Sequence, residues 1–395
     1  MRLAKRVIDI APSATLGITS RAKKMRESGI DVVSFGAGEP DFDTPAHIKE
    51  AAIEAIKKGI TKYTPSTGIL ELKKAIAEKF QKDNNLNYEP SQVVVSCGAK
   101  HSIYNVLQVL CEEGDEVIIP SPYWVSYPEM VKLAGATPVI VDTLQENNFK
   151  LTEKMLLAAI SENTRVIILN SPSNPTGCVY SLDEIKMVCE IAKGEGIYVI
   201  SDEIYEKLVY EDNKHYSIGA LGKAIYDLTI TVNGVSKSYA MTGWRIGYIG
   251  APKEIADVIS NLQDHSTSNP TSISQMAALA AITGDQSCVE NMRKEFDKRR
   301  GYMIKRLNNI PGLLCTNPGG AFYAFCDISD LGMDSITFSN ELLEKNNVAV
   351  VPGDGFGWDS HIRLSFATSE DNIKKGLDRL EEFVKMVVER NRQLT

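Results

Sequence analysis

Cysteine is sparse, histidine sparser, and neither is arranged for disulfide or metal chemistry. The 395-residue chain has seven cysteines, Cys97, Cys111, Cys178, Cys189, Cys288, Cys315 and Cys326, an odd number with no CxxC pair. Oxidised secreted scaffolds carry dense, even-numbered cysteines, so reduced thiols and a cytoplasmic location are expected. The five histidines show no paired spacing, and no metal is expected. Basic charge is also short: 43 Lys and Arg face 51 Asp and Glu, a formal net charge of −8. Polyanion binders need a basic excess to release counterions, so nucleic acid is not an expected partner. No apolar run reaches the roughly 18 residues that cross a bilayer. The first ten residues interleave Arg2, Lys5, Arg6 and Asp9 with apolar ones, unlike a secretion signal, and no membrane partner is expected.

What is present is ordinary globular material, 43% hydrophobic and 24% charged, in a chain long enough for two or three domains or one large domain with an added lobe. From about Thr44 to Asn233, helical periods alternate with short β-branched runs, the pattern of a parallel sheet covered by helices. Thr44 and Pro45 read as the cap and first position of a helix whose Ile48, Ala52, Ala55 and Ile56 share a face. Leu72, Ile76 and Phe80 repeat that spacing. Strands are expected at Val93–Ser96, Val117–Ile119, Pro138–Val141, Val166–Leu169, Tyr198–Ser201 and Thr229–Val232, nearly all apolar and so buried on both faces. Ser181 and Glu184 have capping-box spacing. After about Gly284 the rhythm changes to a long helix near Gln286–Asn309, strands near Ala321–Asp327, Val348–Val351 and Ile362–Phe366, and a last helix near Glu370–Arg392. That is a second, α+β lobe, and with no Gly/Ser tether it packs against the first.

Three of the apolar strands run into chemically suggestive residues at their carboxyl ends, where open α/β sheets bind ligands. Lys237 follows Thr229–Val232; desolvation there would depress its amine toward a nucleophilic range, although most lysines in such loops are simply solvated. Asp202 ends a strand too apolar for an unpaired carboxylate, so it either faces a cation or donor in the crevice or caps a following helix. A Schiff-base lysine with an aspartate beside a pyridinium is what pyridoxal 5'-phosphate chemistry requires of a protein. Asn174, in a turn stiffened by Pro172 and Pro175, would offer a fixed amide at the same edge.

A phosphate would need backbone donors and positive charge. Gly98, Ala99 and Lys100 open a helix directly after Val93–Ser96, and Arg245, eight residues beyond Lys237, has the planar fork that suits phosphate oxygens. Trp124 is either a stacking surface for a flat ring or a half-buried core residue. Arg363 alternates with Ile362 and Leu364 on a strand, so it is either solvated or bound to a carboxylate. Gly353–Gly357 superficially suggests a dinucleotide loop, but a strand and not a helix follows.

The segments Ala37–Pro45, Thr61–Tyr63, Ser121–Trp124, Asn174–Gly177, Ser201–Tyr205, Ser236–Lys237 and Gly243–Arg245, taken in order over essentially the whole chain, resemble the class I aminotransferases, above all the gamma subgroup of aspartate aminotransferases. The resemblance implies a fold-type-I α/β enzyme: a mixed, mostly parallel seven-stranded sheet in a large domain, residues 46–284, and a smaller α+β domain of residues 1–45 and 285–395. It implies a homodimer acting on small amino acids and 2-oxo acids through pyridoxal phosphate. Lys237 would hold the cofactor in imine linkage and shuttle the proton, Asp202 would keep the ring nitrogen protonated, and Tyr205 and Asn174 would bond the ring oxygen. Trp124 would stack on the ring, Gly98, Ala99, Lys100 and Arg245 would surround the phosphate, and Tyr63 would reach it from the second subunit. Arg363 and the backbone at Gly38 would take the substrate α-carboxylate, and Lys100 and Thr15, with Ser13 nearby, the side-chain carboxylate. Ala11 stands where some members, including those active on prephenate, carry lysine. Rival readings are an eliminating enzyme of the same fold, such as a carbon–sulfur lyase, and a cofactor-sensing regulator, which would carry a further DNA-binding lobe.

Overall fold

Apolar four- to six-residue runs build the spine of the molecule. The computed structural model describes residues 3–8, 10–12 and 14–394. Its strands run β1 (Val33–Ser34), β2 (Val93–Ser96), β3 (Glu116–Ser121), β4 (Thr137–Asp142), β5 (Thr164–Asn170), β6 (Tyr198–Asp202), β7 (Thr229–Gly234), β8 (Gly247–Gly250), β9 (Leu314–Cys315), β10 (Tyr323–Asp327), β11 (Val348–Ala349), β12 (Val351–Pro352) and β13 (His361–Ser365). Seven of them form one sheet in the order β2-β8-β7-β6-β5-β3-β4. All the pairings from β7 to β4 are parallel, whereas β8 runs antiparallel to both β2 and β7.

The period-2 alternation of each strand supplies both faces. Val166 and Ile168 pack with Ile103, Val106, Leu107 and Leu110 of the helix Ala99–Leu110. Their neighbours Ile167 and Leu169 pack on the opposite side with Ile185, Val188, Cys189 and Ala192 of the helix Leu182–Glu195, which starts at a complete Ser181–Glu184 capping box. With helices on both faces, the crevice for a ligand lies at the strand ends.

A second core unites the ends of the chain. The sheet β12-β13-β10-β9 is antiparallel, and β1 pairs in parallel with β11. Phe296, Met303 and Leu307 of the helix Ser287–Leu307 meet Ile373, Leu377, Leu380 and Phe383 of the helix Glu370–Leu394 beneath this sheet. Ile204, Tyr205, Leu208 and Tyr210 belong to the same core, so the segment after β6 is wedged between the two units. Among the described residues no helix is long and apolar enough to cross a membrane.

Local geometry differs from expectation at four places. The run Val348–Val351 is two strands, since the chain leaves β1 at Ala349 and joins β13 at Val351. The first α/β helix spans Ala46–Lys57 with Pro45 at the cap. Thr44 does not cap it, because its hydroxyl donates to Ala240 O at 2.6 Å and accepts from Trp244 Nε1 at 3.0 Å, tying it to the Lys237 loop. Ile48, Ala52 and Ala55 are buried in that helix, but Ile56 is 55% exposed. Finally, β8 was not anticipated, because Gly-Tyr-Ile-Gly lacks a β-branched run. Gly247 is required there by contact: a Cβ would lie 2.1 Å from Ala99 N. Gly247→Ala is therefore expected to lower stability by about 1–3 kcal/mol through overpacking, measurable as a drop in the urea midpoint with m unchanged.

Candidate active site

The carboxyl ends of β5, β6 and β7 open into a cavity of about 430 Å³. Gly38, Ala99, Lys100, Trp124, Asn174, Asp202, Tyr205, Lys237, Arg245 and Arg363 all line it, and Gly98 lies at its edge as the residue before Ala99. Tyr63 is 91% exposed and lies outside the cavity of its own chain. Thr15 falls in the helix Ala14–Glu27, but its side chain, like the whole of Ser13, lies outside the described residues.

Asp202 ends β6 directly opposite Asn170 on β5 and Val232 on β7. It is 4% exposed. Its Oδ2 accepts from Tyr127 Oη at 2.6 Å and its Oδ1 from the Ile204 N–H at 3.2 Å, so it caps a turn; no helix follows. Burial pushes the carboxyl up to about 6 against the opposing pull of these two donors and of Lys237. Tyr127 is not singled out by the sequence; its role arises because the helix Tyr127–Leu133 begins above β6, which chain spacing does not reveal.

Lys237 stands three residues past Gly234 and faces the cavity, where its Nζ donates to Gly38 O at 2.6 Å. Loss of water around the amine lowers it to about 8; Glu39 pulls the other way while Arg363 and Arg245 add to the fall. The solvated-loop alternative therefore does not apply.

The third group faces the same space from the second core. Arg363 is 1% exposed on a strand buried on both faces, which removes the solvated alternative. Its Nη1 donates to Asn174 Oδ1 at 2.9 Å and its Nη2 to Gly36 O at 3.0 Å, while Nε has no partner among the described residues. Asn174 is held in turn through its N–H, which donates to Asn170 Oδ1 at 2.9 Å. Tyr205 Oη pairs with Tyr323 Oη at 2.7 Å. Tyr323 was not singled out in the sequence, since a tyrosine opening an apolar strand carries no local signal.

At the other end of the cavity the helix Ala99–Leu110 presents its N-terminus, and Gly98 before it has φ +93°. A Cβ on Gly98 would lie 2.3 Å from Arg245 Nη2, so only glycine lets that guanidinium sit over the helix start. Arg245 donates to Thr242 O at 2.9 Å and Cys97 O at 3.3 Å. The Lys100 amine lies 4.8 Å from the centre of the Trp124 ring, and burial, then Arg245, lowers its pKa.

Behind Asp202, Glu203 turns the opposite way into a buried polar cluster with Glu206 and His215, whose ligand atoms lie within 4.8 Å of one another. Lys79 pairs with Glu206 and donates to Asn84 Oδ1 at 2.6 Å, and Asn84 donates to both glutamates. An internal ammonium thus already balances these acids.

The donor set suits a phosphorylated pyridine aldehyde: a desolvated amine, a buried carboxylate with a donor behind it, and a glycine-cleared helix N-terminus under an arginine. One consequence concerns the cofactor-free chain. An unfolded aspartate releases its proton near 3.8 and the folded Asp202 near 6, so ionising it costs stability above pH 6, and that cost vanishes below about pH 4. Asp202→Asn should therefore raise urea stability at pH 8 by up to about 2–3 kcal/mol and leave it unchanged near pH 4.

The profile of the family described as "Aminotransferase class I and II" matches residues 30–380. An aspartate aminotransferase of Geobacillus stearothermophilus is 50% identical over 389 residues, covering 97% of this chain and 99% of that one. A probable aspartate/prephenate aminotransferase of Aquifex aeolicus is 47% identical, covering 96% and 98%. Among solved structures, the aspartate aminotransferase of Thermus thermophilus with maleate superposes with a TM-score of 0.93 at 43% identity, covering 97% of this chain and 100% of that one. With a seven-stranded, mostly parallel sheet and a lysine and an aspartate at its carboxyl edge, the chain belongs to the class I and II aminotransferases, enzymes that work through pyridoxal phosphate.

Proposed function

We propose that this aminotransferase moves the amino group of L-aspartate to 2-oxoglutarate, yielding oxaloacetate and L-glutamate. The observation that carries the reading is the convergence of the Lys237 amine, the Asp202 carboxylate and the Arg363 fork on one cavity. The similarity to aspartate aminotransferases at about half identity over nearly the full length supports the donor.

When bound, pyridoxal phosphate supplies an electron sink for charge developing at the substrate α-carbon. The protein's share follows from its own groups. Lys237, lowered to about 8, would be deprotonated often enough near neutrality to take the proton from the substrate α-carbon and deliver it to the cofactor carbon C4′. Asp202 would keep the ring nitrogen protonated, its buried carboxylate regaining an opposite charge as partner. Tyr205 and Asn174 would bond the ring oxygen and Trp124 would cover the ring. Gly98, Ala99, Lys100 and Arg245 would hold the phosphate.

Arg363, with the Gly38 backbone, would fix the α-carboxylate so that the Cα–H bond stands perpendicular to the ring, favouring deprotonation over decarboxylation. Lys100, with Thr15, would take the side-chain carboxylate.

We assign residues 46–284 to the cofactor domain and 1–45 with 285–395 to the small domain, a division supported by the separate sheets. The enzyme would act as a homodimer in which Tyr63 serves the neighbouring site; its 91% exposure supports this, as does that of Ile53, Ile56 and Leu70 at 48%, 55% and 53%. A cytoplasmic location accords with seven unpaired cysteines.

Purified enzyme given aspartate and 2-oxoglutarate should produce equal amounts of oxaloacetate and glutamate. Pyruvate and ammonia with no glutamate would replace transfer by elimination. Lys237→Ala should lower kcat by on the order of a thousandfold or more and lose the visible band of the bound cofactor. Arg363→Lys, which keeps the charge without the fork, should raise KM for both substrates by roughly ten- to a hundredfold.

A further inference from the structure

We propose that Tyr323 is a positioning residue shared by both halves of the site, its hydroxyl setting the phenol of Tyr205 and its ring face holding the guanidinium of Arg363. The inference rests on the function proposed above and extends it to a residue with no assigned role.

The two contacts come from one side chain at the start of β10. Its Oη lies 2.7 Å from Tyr205 Oη, with both residues almost fully buried. Its ring centre lies 4.4 Å from the guanidinium carbon of Arg363. The register explains the second contact. Phe325 is opposite Arg363 and Tyr323 opposite Ser365, so Tyr323 and Arg363 are diagonal neighbours on one face of the β10–β13 ladder. Among the described residues Arg363 has no carboxylate partner. Two hydrogen bonds and the faces of Tyr323 and Phe356 are what orient it, and its Nε has no partner among the described residues. The hydroxyl also sits against Gly38, where a Cβ would lie 3.1 Å from it, and the Gly38 carbonyl accepts from Lys237.

Counting protons gives the direction of the phenol pair. Tyr205 has one hydroxyl proton. If that proton goes to the cofactor ring oxygen, the 2.7 Å bond must be donated by Tyr323. A bond donated into the Tyr205 oxygen makes Tyr205 the stronger donor in turn. The negative charge on the ring oxygen is then better stabilised, and it competes less for the proton on the Lys237 nitrogen. The other charges facing the pair are Asp202 and Arg363 around Tyr205, Arg363 and Glu39 around Tyr323, and Lys237 over the Tyr205 ring. Removing one oxygen from Tyr323 leaves all of these in place.

The test compares wild type, Tyr323→Phe and Tyr323→Leu, each loaded with pyridoxal phosphate. The readouts are the pH at which the visible band changes and the affinity for succinate, an unreactive dicarboxylate. In Tyr323→Phe the midpoint should rise by roughly half a pH unit, with succinate affinity within about twofold of wild type because the ring remains. Tyr323→Leu should show the same rise and bind succinate roughly tenfold more weakly. A midpoint in Tyr323→Phe equal to wild type, even with a lower melting temperature, overturns the proposal, since a merely structural hydroxyl would alter stability without moving the band. Wild-type succinate affinity in Tyr323→Leu overturns the ring's part. Should the leucine variant not fold, the nearly isosteric phenylalanine variant decides alone. A wild-type protein that takes up no cofactor overturns the functional reading itself, so the two failures are distinguishable.

Discussion

Asp202 is a buried acid and Lys237 a half-buried amine at the ends of neighbouring strands, and their shared loss of water is the constraint on which the site depends. Among the described residues neither group has a direct ion-pair partner: the carboxylate takes its hydrogen bonds from Tyr127 and the Ile204 backbone, and the amine gives its own to Gly38. Burial therefore moves both pKa values toward neutrality from opposite directions. The parallel sheet makes this possible, because β5, β6 and β7 all release their chains at the same edge and their apolar bodies keep that edge dry.

Keeping such groups buried requires support beyond the cavity. Glu203, next to Asp202, points away into the cluster of Lys79, Asn84, Glu206, His215 and Ser217, which joins the helix Leu70–Asn84 to the segment after β6. On the other side Ile204 and Tyr205 are packed into the second core. The residues following Asp202 are thus anchored by charge in one unit and by apolar contact in the other, so the carboxylate has little freedom to relax toward solvent.

The parts legible in the sequence are those encoded by local rules. Six apolar runs became strands of the large sheet, Ser181 and Glu184 formed their capping box, and the lysine, aspartate and asparagine at three strand ends could be placed because chain direction in a parallel sheet fixes which end opens. The parts that were not legible depend on contacts distant in the chain. β8 is made possible by the absence of side chains against Ala99 and Tyr88, so its glycines look like a turn. Thr44 has the composition of a cap yet is used some two hundred positions away, on Ala240 and Trp244. Arg363 alternates like a residue on a solvated face, but a second layer covers that face. Tyr127 and Tyr323 bond partners that no spacing pattern connects to them.

The hairpin formed by β7 and β8 has one more implication. Lys237 and Arg245 sit in its loop, and both legs are stitched to each other and to the flanking strands β6 and β2. The span between these two cations is thereby set like the jaws of a caliper. The backbone under both is thus carried by the large sheet, while the Lys237 amine reaches across to the Gly38 carbonyl of the other unit, so one end of the caliper bears on each half of the molecule.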